Sequence, residues 1–284
     1  METLKDIVII YHADCRDGFG SAYAAWKKFG DTASYIPLKA HINEPPAGLE
    51  GKEVYILDFS FTKDVLETLV ETNQSVLVID HHESVRDAVT AFPENIFDID
   101  HSGVILSWQH FHPATDVPEL LRYVEDVDLW RFALPESREF ATALGQYAMD
   151  FAVWDQLITD LQEENNLINF IAKGALLAKF EDKLVDHMMT RKERVHFEGH
   201  DVWAINTSEY VSILGNKLAE LNLAEEQEPM GLVYYHTDGI VKISLRSIGE
   251  CDVAAIATKY GGGGHKNAAG ISVASFDELP FSFL

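Results

Sequence analysis

One short stretch limits what this chain can become: Val76-Leu-Val-Ile-Asp80-His81-His82. Four apolar, β-prone residues run straight into an acid and two imidazoles. A run that is apolar on both faces reads as a buried parallel strand. Its polar residues then stand at the carboxyl end, where open α/β sheets place their sites. Asp, His and His together offer oxygen and nitrogen ligands suited to divalent ions such as Mn²⁺ or Zn²⁺. Taken alone, such a His pair is as often a hydrogen-bonded structural pair as a metal site. Its weight comes from two further strands that end the same way.

Those strands are Ile7–Ile10, ending at Tyr11-His12, and Val54–Leu57, ending at Asp58. Between them, Ala13–Ser21 reads as a loop, Gly18–Phe29 as a helix, Ala33–Pro37 as a short strand, and His41–Gly51 as a polar loop. Phe61–Thr72 reads as an amphipathic helix with Thr62 as its N-cap, and Asn95–Asp98 as a fifth strand. Strands alternating with helices at this spacing predict a parallel, doubly wound sheet. Beyond His101 the pattern turns helical, at Val104–Phe111, Pro118–Val127 and Glu139–Tyr147. A long helical connector follows over Phe151–Arg194.

A smaller mixed α/β domain starts near His200. Its strands are Asp201–Ile205, Gly231–Tyr235, Ile240–Leu245 and Ile271–Val273, with helices at Val211–Leu221 and Val253–Lys259. The division expected is a metal-binding domain with its connector over 1–190 and a substrate-binding domain over 196–284. Phe276–Leu284 reads as an irregular tail. Trp108, Trp154 and Trp203 read as core, and His187, His196 and His200 as surface.

Charge narrows the partners. The 284 residues carry 22 Lys+Arg against 46 Asp+Glu, a net of −24 with His neutral. Such a surface repels long polyanions, so long duplex nucleic acid is not an expected partner. Small phosphorylated substrates are not, because a local basic pocket or bound cations can overcome the global field. Two cysteines, Cys15 and Cys251, form no metal-finger spacing and no disulfide framework, which points to a reducing, cytoplasmic setting. No apolar run approaches the roughly 20 residues needed to span a bilayer, so no membrane partner is expected.

Parallel strands present their carboxyl ends on one edge, so His12 with Asp14 and Asp17, then Asp58, then Asp80-His81-His82 can converge. Carboxylates mixed with His suit a pair of Mn²⁺-like ions, which clamp attacking and leaving oxygens in phosphoryl transfer. One carboxylate must bridge them, and Asp58 is the candidate because it sits alone between the other two clusters. A further acid is wanted, and Glu125-Asp-Val-Asp128 offers three, unless that cluster is only a solvated helix end. In the second domain, Gly261–Gly264 with His265-Lys-Asn267 combines exposed backbone N–H groups with cationic side chains. A glycine run is otherwise a flexible turn. Arg246-Ser247 nearby favours an anion site, because Arg makes bidentate phosphate contacts.

These residues together resemble the DHH phosphoesterase superfamily, in the branch with a DHH-associated carboxyl-terminal domain. That branch holds single-strand exonucleases, nanoRNA ribonucleases that also take adenosine bisphosphate, cyclic-dinucleotide phosphodiesterases and exopolyphosphatase-like proteins. His12-x-Asp-x-x-Asp17-Gly-x-Gly-Ser21 resembles the first motif, Asp58 the second, Asp80-His81-His82 the third, and Asp128 in Asp-Leu-Trp the fourth, with Asp126 its competitor. Gly261–His265 with Ala268-Ala-Gly270 resembles the terminal substrate-binding motif.

The resemblance implies that His12, Asp58 and one more first-motif residue hold one ion, and that Asp17, Asp58, His81 and Asp128 hold the other. Two Mn²⁺ ions are implied, with Mg²⁺ or Co²⁺ as substitutes. His82 would face the scissile phosphate and Asp80 would brace the imidazoles. Arg246, Ser247, Gly262, Gly263, Gly264 and His265 would bind substrate in an interdomain cleft. The family pattern has an acid two residues before Asp17, and Cys15 occupies that place. Either Asp14 slides into the role or Cys15 is a softer ligand.

The activity this implies is metal-dependent hydrolysis of short single-stranded RNA or DNA, or of small nucleotides. An exopolyphosphatase or pyrophosphatase with the same metals is the alternative, and a nucleotide sensor that lost hydrolysis at Cys15 is a third. Only Arg246, Lys259 and Lys266 lie near the glycine loop in sequence, too few for a polyphosphate track. The oligomeric state stays open, a dimer included.

Overall fold

A parallel strand pair needs a crossover of a dozen or more residues, and the alternating runs of the first half supply them. The computed structural model describes residues 3–39 and 42–284. Met1, Glu2 and the His41 that opens the expected polar loop lie outside the described residues. The chain divides into two compact units, Met1–Ala178 and Lys179–Leu284.

The first unit opens with β1 (Ile7–His12), α1 (Arg16–Phe29), β2 (Ala33–Leu38), β3 (Glu53–Leu57), α2 (Lys63–Thr72), β4 (Ser75–Asp80), α3 (Arg86–Thr90) and β5 (Asn95–Phe97). The strands form one parallel sheet in the order β2-β1-β3-β4-β5. Strand periodicity sends alternate residues to opposite faces. Ile9, Leu57 and Ile79 join the core layer that holds Tyr23, Trp108 and Trp154. Val8, Ile10, Val54, Ile56, Val76 and Val78 join the other layer, with Leu66 and Leu69 of α2. Helices α4 (Gly103–Phe111), α5 (Glu119–Asp128), α6 (Ser137–Leu144) and α7 (Phe151–Asp160) follow, and α8 (Glu164–Met189) runs on into the second unit.

The second unit continues with β6 (Glu193–Phe197), β7 (His200–Asn206), α9 (Val211–Ala224), β8 (Met230–Thr237), β9 (Ile240–Ser247), α10 (Val253–Lys259), β10 (Gly263–His265), β11 (Ala268–Val273) and β12 (Ser282–Phe283). They make a mixed sheet in the order β10-β11-β9-β8-β7-β6-β12, in which only β7 and β8 pair in parallel. No helix among the described residues is long and apolar enough to cross a membrane.

Several sequence-based expectations need correction. The connector is not helical to Arg194, because Glu193–Phe197 alternates, burying Val195 and Phe197, and pairs with β7. Phe276–Leu284 is not wholly irregular, since Ser282 and Phe283 pair with β6. Trp203 is half-buried instead of core, with the Arg194 guanidinium 4.1 Å above its ring. Helix α1 starts at Arg16, so Asp17 lies inside its first turn instead of in the preceding loop.

Candidate active site

Strand register levels the site. Tyr11 of β1 pairs with Leu57 of β3, and Leu57 pairs with Ile79 of β4. The residues that follow, His12, Asp58 and Asp80, therefore emerge side by side at the carboxyl edge. Neighbours β1 and β3 send the chain in opposite directions, to β2 and to β4, and an open sheet leaves a crevice at such a switch point. Asp58 takes a left-handed backbone, φ 58°, which Asp tolerates better than most residues. Its N–H still donates to the Ile79 carbonyl at 2.8 Å.

Three carboxylates converge on one imidazole nitrogen. His81 Nε2 lies 3.1 Å from Asp58 Oδ1, 3.5 Å from Asp17 Oδ2 and 3.6 Å from Asp128 Oδ2. Asp17, Asp58 and His81 are each only 1% exposed. Asp17 also accepts the Gly103 and Val104 N–H groups at the start of α4, where the helix dipole favours an anion. On the other side of Asp58, His12 Nδ1 stands 3.3 Å from Oδ2. Cys15, at the N-cap of α1, brings its Sγ within 4.8 Å of ligand atoms of His12 and Asp58. Asp14 is exposed, with φ 58°, and belongs to no ligand cluster among the described residues.

Asp80 is wholly buried and works as a brace. Its Oδ1 accepts the His81 N–H at 2.7 Å, the His82 N–H at 3.1 Å and His82 Nδ1 at 2.7 Å. Those bonds fix the His82 ring with its Nε2 edge turned away from Asp80. Of the three acids in Glu125–Asp128, only Asp128 reaches the cluster. The Asp126 carboxylate accepts the N–H groups of Ala133 and Leu134, at 3.0 and 3.2 Å, and so shapes the turn after α5. Glu125 accepts from His101 Nδ1 and from the Ser102 N–H.

One member of the site gave no signal in the sequence. A Cβ on Gly103 would lie 2.7 Å from Asp58 Cβ and 2.9 Å from Asp17 Oδ2, so only glycine lets α4 start against both carboxylates.

In the second unit, Arg246 of β9 and His265 of β10 both stand opposite Ala268 of β11, at one end of the sheet. Arg246 donates to Ser212 Oγ and to the Leu245 carbonyl. Ser247 is committed to its own turn, donating to the Cys251 carbonyl at 2.6 Å and receiving Asn267 Nδ2 at 2.9 Å. The end of the glycine run is strand, with Gly263–His265 paired to β11, and two of its glycines lie hard against neighbouring backbone. A Cβ would meet the Gly270 carbonyl at 2.0 Å from Gly262 and the Ala268 carbonyl at 2.4 Å from Gly264. Gly263 is the strand residue between them.

Electrostatics in the first unit point to missing positive charge. Burial, then the charges of Asp58 and Asp128, push the Asp17 carboxyl well above its usual range. Burial and Asp58 likewise push Asp128 up to about 6, although its side chain is a quarter exposed. Burial also acts against charge on Asp58, but hydrogen bonds from His12 and His81 overcome it and hold that group well below the usual range. Burial opposes charge on His82 as well, yet Asp80 prevails and pushes it up to about 10. The Cys15 thiol is driven well up by burial and then by Asp58, Asp128 and Asp17. Three carboxylates around one buried imidazole thus lack the countercharge that a divalent cation supplies. The oxygen and nitrogen donors fit such an ion.

The DHHA1 domain model matches residues 211–280. The oligoribonuclease NrnB of Bacillus subtilis is 32% identical over 102 residues, which span 34% of this chain and 24% of that protein. The bifunctional oligoribonuclease and PAP phosphatase NrnA of Mycoplasma genitalium is 24% identical over 244 residues, 78% of this chain and 73% of that protein. Among solved structures, the DHH domain of a member of a ribosomal-protein family superposes with a TM-score of 0.61 at 11% identity. The match covers 99% of this chain and 83% of that one.

Proposed function

We propose that the chain is a member of the DHH phosphoesterase superfamily, with the DHH-associated domain at its carboxyl end, and that it is a divalent-metal-dependent phosphoesterase acting on short oligonucleotides or small nucleotides. The DHHA1 match over residues 211–280 and the NrnA and NrnB relatives support this reading. One observation carries the reading: Asp17, Asp58 and Asp128 meet at a single nitrogen of buried His81. The two NrnA and NrnB relatives support the substrate class. Free Cys15 and Cys251 fit a reducing, cytoplasmic setting.

Asp17, Asp58, His81 and Asp128 would hold one Mn²⁺, and His12, Cys15 and Asp58 the other, with Asp58 shared. When bound, such a pair of ions polarises phosphoryl oxygens and lowers the pKa of a coordinated water. The remaining residues position and balance charge. His82, held charged by Asp80, presents its Nε2 edge to the scissile phosphate and stabilises negative charge developing there. In the second unit, Arg246 and His265, neighbours across Ala268, are the groups suited to bind a phosphate, as Arg matches phosphate geometry. The acidic chain favours short substrates, since each additional phosphate meets repulsion.

The test is hydrolysis by the full chain of a short RNA, adenosine bisphosphate, a cyclic dinucleotide and polyphosphate, with Mn²⁺, Mg²⁺ or Co²⁺. Nucleotide release that needs metal and disappears in Asp58→Ala is expected. Turnover of polyphosphate alone would move the protein to the exopolyphosphatase class. Absence of both Mn²⁺ binding and hydrolysis would overturn the reading.

A further inference from the structure

Two large aromatic side chains, Trp130 and Phe132, are partly exposed in the turn that follows Asp128. Trp130 is 43% exposed and Phe132 38%. Their rings meet edge to face, with centroids 4.9 Å apart and planes at 85°. Both residues take left-handed backbone conformations, φ 54° and 48°, which are uncommon and strained for bulky side chains. A dedicated set of bonds holds the turn. The Asp126 carbonyl accepts the Arg131 N–H at 2.8 Å, and its buried carboxylate accepts the N–H groups of Ala133 and Leu134. Arg131 is tied back to the Asp100 carbonyl. The turn is thus held by its own bonds while both rings keep a substantial part of their surface exposed.

We infer that Trp130 and Phe132 form a stacking platform for a nucleobase of the substrate whose phosphate lies at the Asp58–His81–Asp128 cluster. This inference rests on the reading above and adds how the substrate is recognised. Two observations and one general principle carry it. Trp130 is two residues from Asp128, so their Cα atoms are at most about 7.6 Å apart, within the span of one nucleotide. Every base has a π-face, so stacking binds nucleotides without regard to sequence. Finally, a chain with 46 acidic against 22 basic residues has little cationic surface with which to hold an oligonucleotide. An uncharged aromatic contact gives affinity that this surface does not oppose.

The experiment measures binding of a fluorescently labelled RNA trinucleotide and of a matched abasic trinucleotide, by anisotropy with Mn²⁺ present. Wild type, Trp130→Ala, Trp130→Ala/Phe132→Ala and Trp130→Phe are compared, each checked for folding by thermal melting. Stacking contributes about 5- to 150-fold per base. Wild type should therefore bind RNA at least fivefold tighter than the abasic ligand, and the double variant should bring that ratio close to one. Trp130→Phe should keep most of it. Equal affinity of wild type for the two ligands, or an unchanged ratio in the double variant, would overturn the platform. Turnover is read separately. A wild type that discriminates by base yet cleaves no phosphodiester would refute the enzymatic reading and leave the platform standing.

Discussion

The Asp17 carboxylate receives the backbone N–H of Gly103 at 2.7 Å, from a residue 86 positions further along the chain. This contact locks the first turn of α1 to the start of α4 beside Asp58. It requires that Gly103 carry no side chain, because a Cβ would press on both Asp58 and Asp17. Gly103→Ala should cost about 1–3 kcal/mol of stability through overpacking and displace at least one carboxylate. The expected result is a lowered melting temperature together with Mn²⁺ affinity reduced tenfold or more by calorimetry. Wild-type Mn²⁺ binding in Gly103→Ala would show that α4 can shift without disturbing the ligands.

Asp58 and Arg246 should fail in different ways. Asp58 contacts His12 with one oxygen and His81 with the other, so Asp58→Ala should remove metal uptake and turnover together. Arg246 lies in the second unit, half-buried and bonded to Ser212. If its phosphate contact is equally strong in ground and transition states, Arg246→Ala should raise KM with kcat little changed. Steady-state kinetics and metal analysis of both variants decide this. Residual activity in Asp58→Ala would rule out the bridging role.

Much of this site was legible because a polar residue ending an apolar strand stands out against its own run. His12, Asp58 and Asp80 needed only a parallel sheet to become neighbours. Choosing Asp128 over Asp126 needed the helix, since residues two apart point about 200° away from each other around α5. Gly103 was illegible, because one glycine after Ser102 looks like any helix start until the carboxylates lie against it. Strand β6 was hidden by its charges: Glu193, Arg194 and His196 mask the alternation of Val195 and Phe197, which only pairing with β7 reveals. Strand β10 was hidden in the glycine run, where side chains supply no pattern at all.

Acid should act on the metal-free and metal-loaded protein in opposite senses. Asp128 is pushed up to about 6 by burial and by Asp58, above the ordinary value near 3.9. Between these values the folded chain binds more protons than the unfolded one, so this group's contribution to stability is present below about pH 4 and lost as the pH rises through 6. Metal-free wild type should therefore lose stability relative to Asp128→Asn across that window. Mn²⁺ requires the ionised carboxylate, so its affinity should fall, and protons should be released on binding, as the pH drops below about 6. Melting curves of both proteins from pH 4 to 7, with and without Mn²⁺, check the signs. An identical pH profile for wild type and Asp128→Asn would remove Asp128 from the titrating cluster.

The last prediction concerns Cys15, which stands where the DHH pattern that this chain resembles has an acid. Its sulfur shares a cluster with His12 and Asp58, whereas Asp14 is exposed and outside every such cluster among the described residues. Only the thiolate is a good ligand, and burial with three nearby carboxylates drives the thiol pKa well up. Cys15 is therefore a weak partner for Mn²⁺, which prefers oxygen, and a better one for softer ions that can displace the proton. Cys15→Asp should raise Mn²⁺ affinity at the His12–Asp58 position and reduce the preference for Zn²⁺ over Mn²⁺. Cys15→Ala should lower Zn²⁺ affinity there while leaving the Asp17–His81–Asp128 position loaded. Calorimetric titration of each variant with both ions gives affinity and stoichiometry together. If Cys15→Ala and Cys15→Asp bind both metals as wild type does, the sulfur is no ligand, and His12 and Asp58 would have to hold the ion without it.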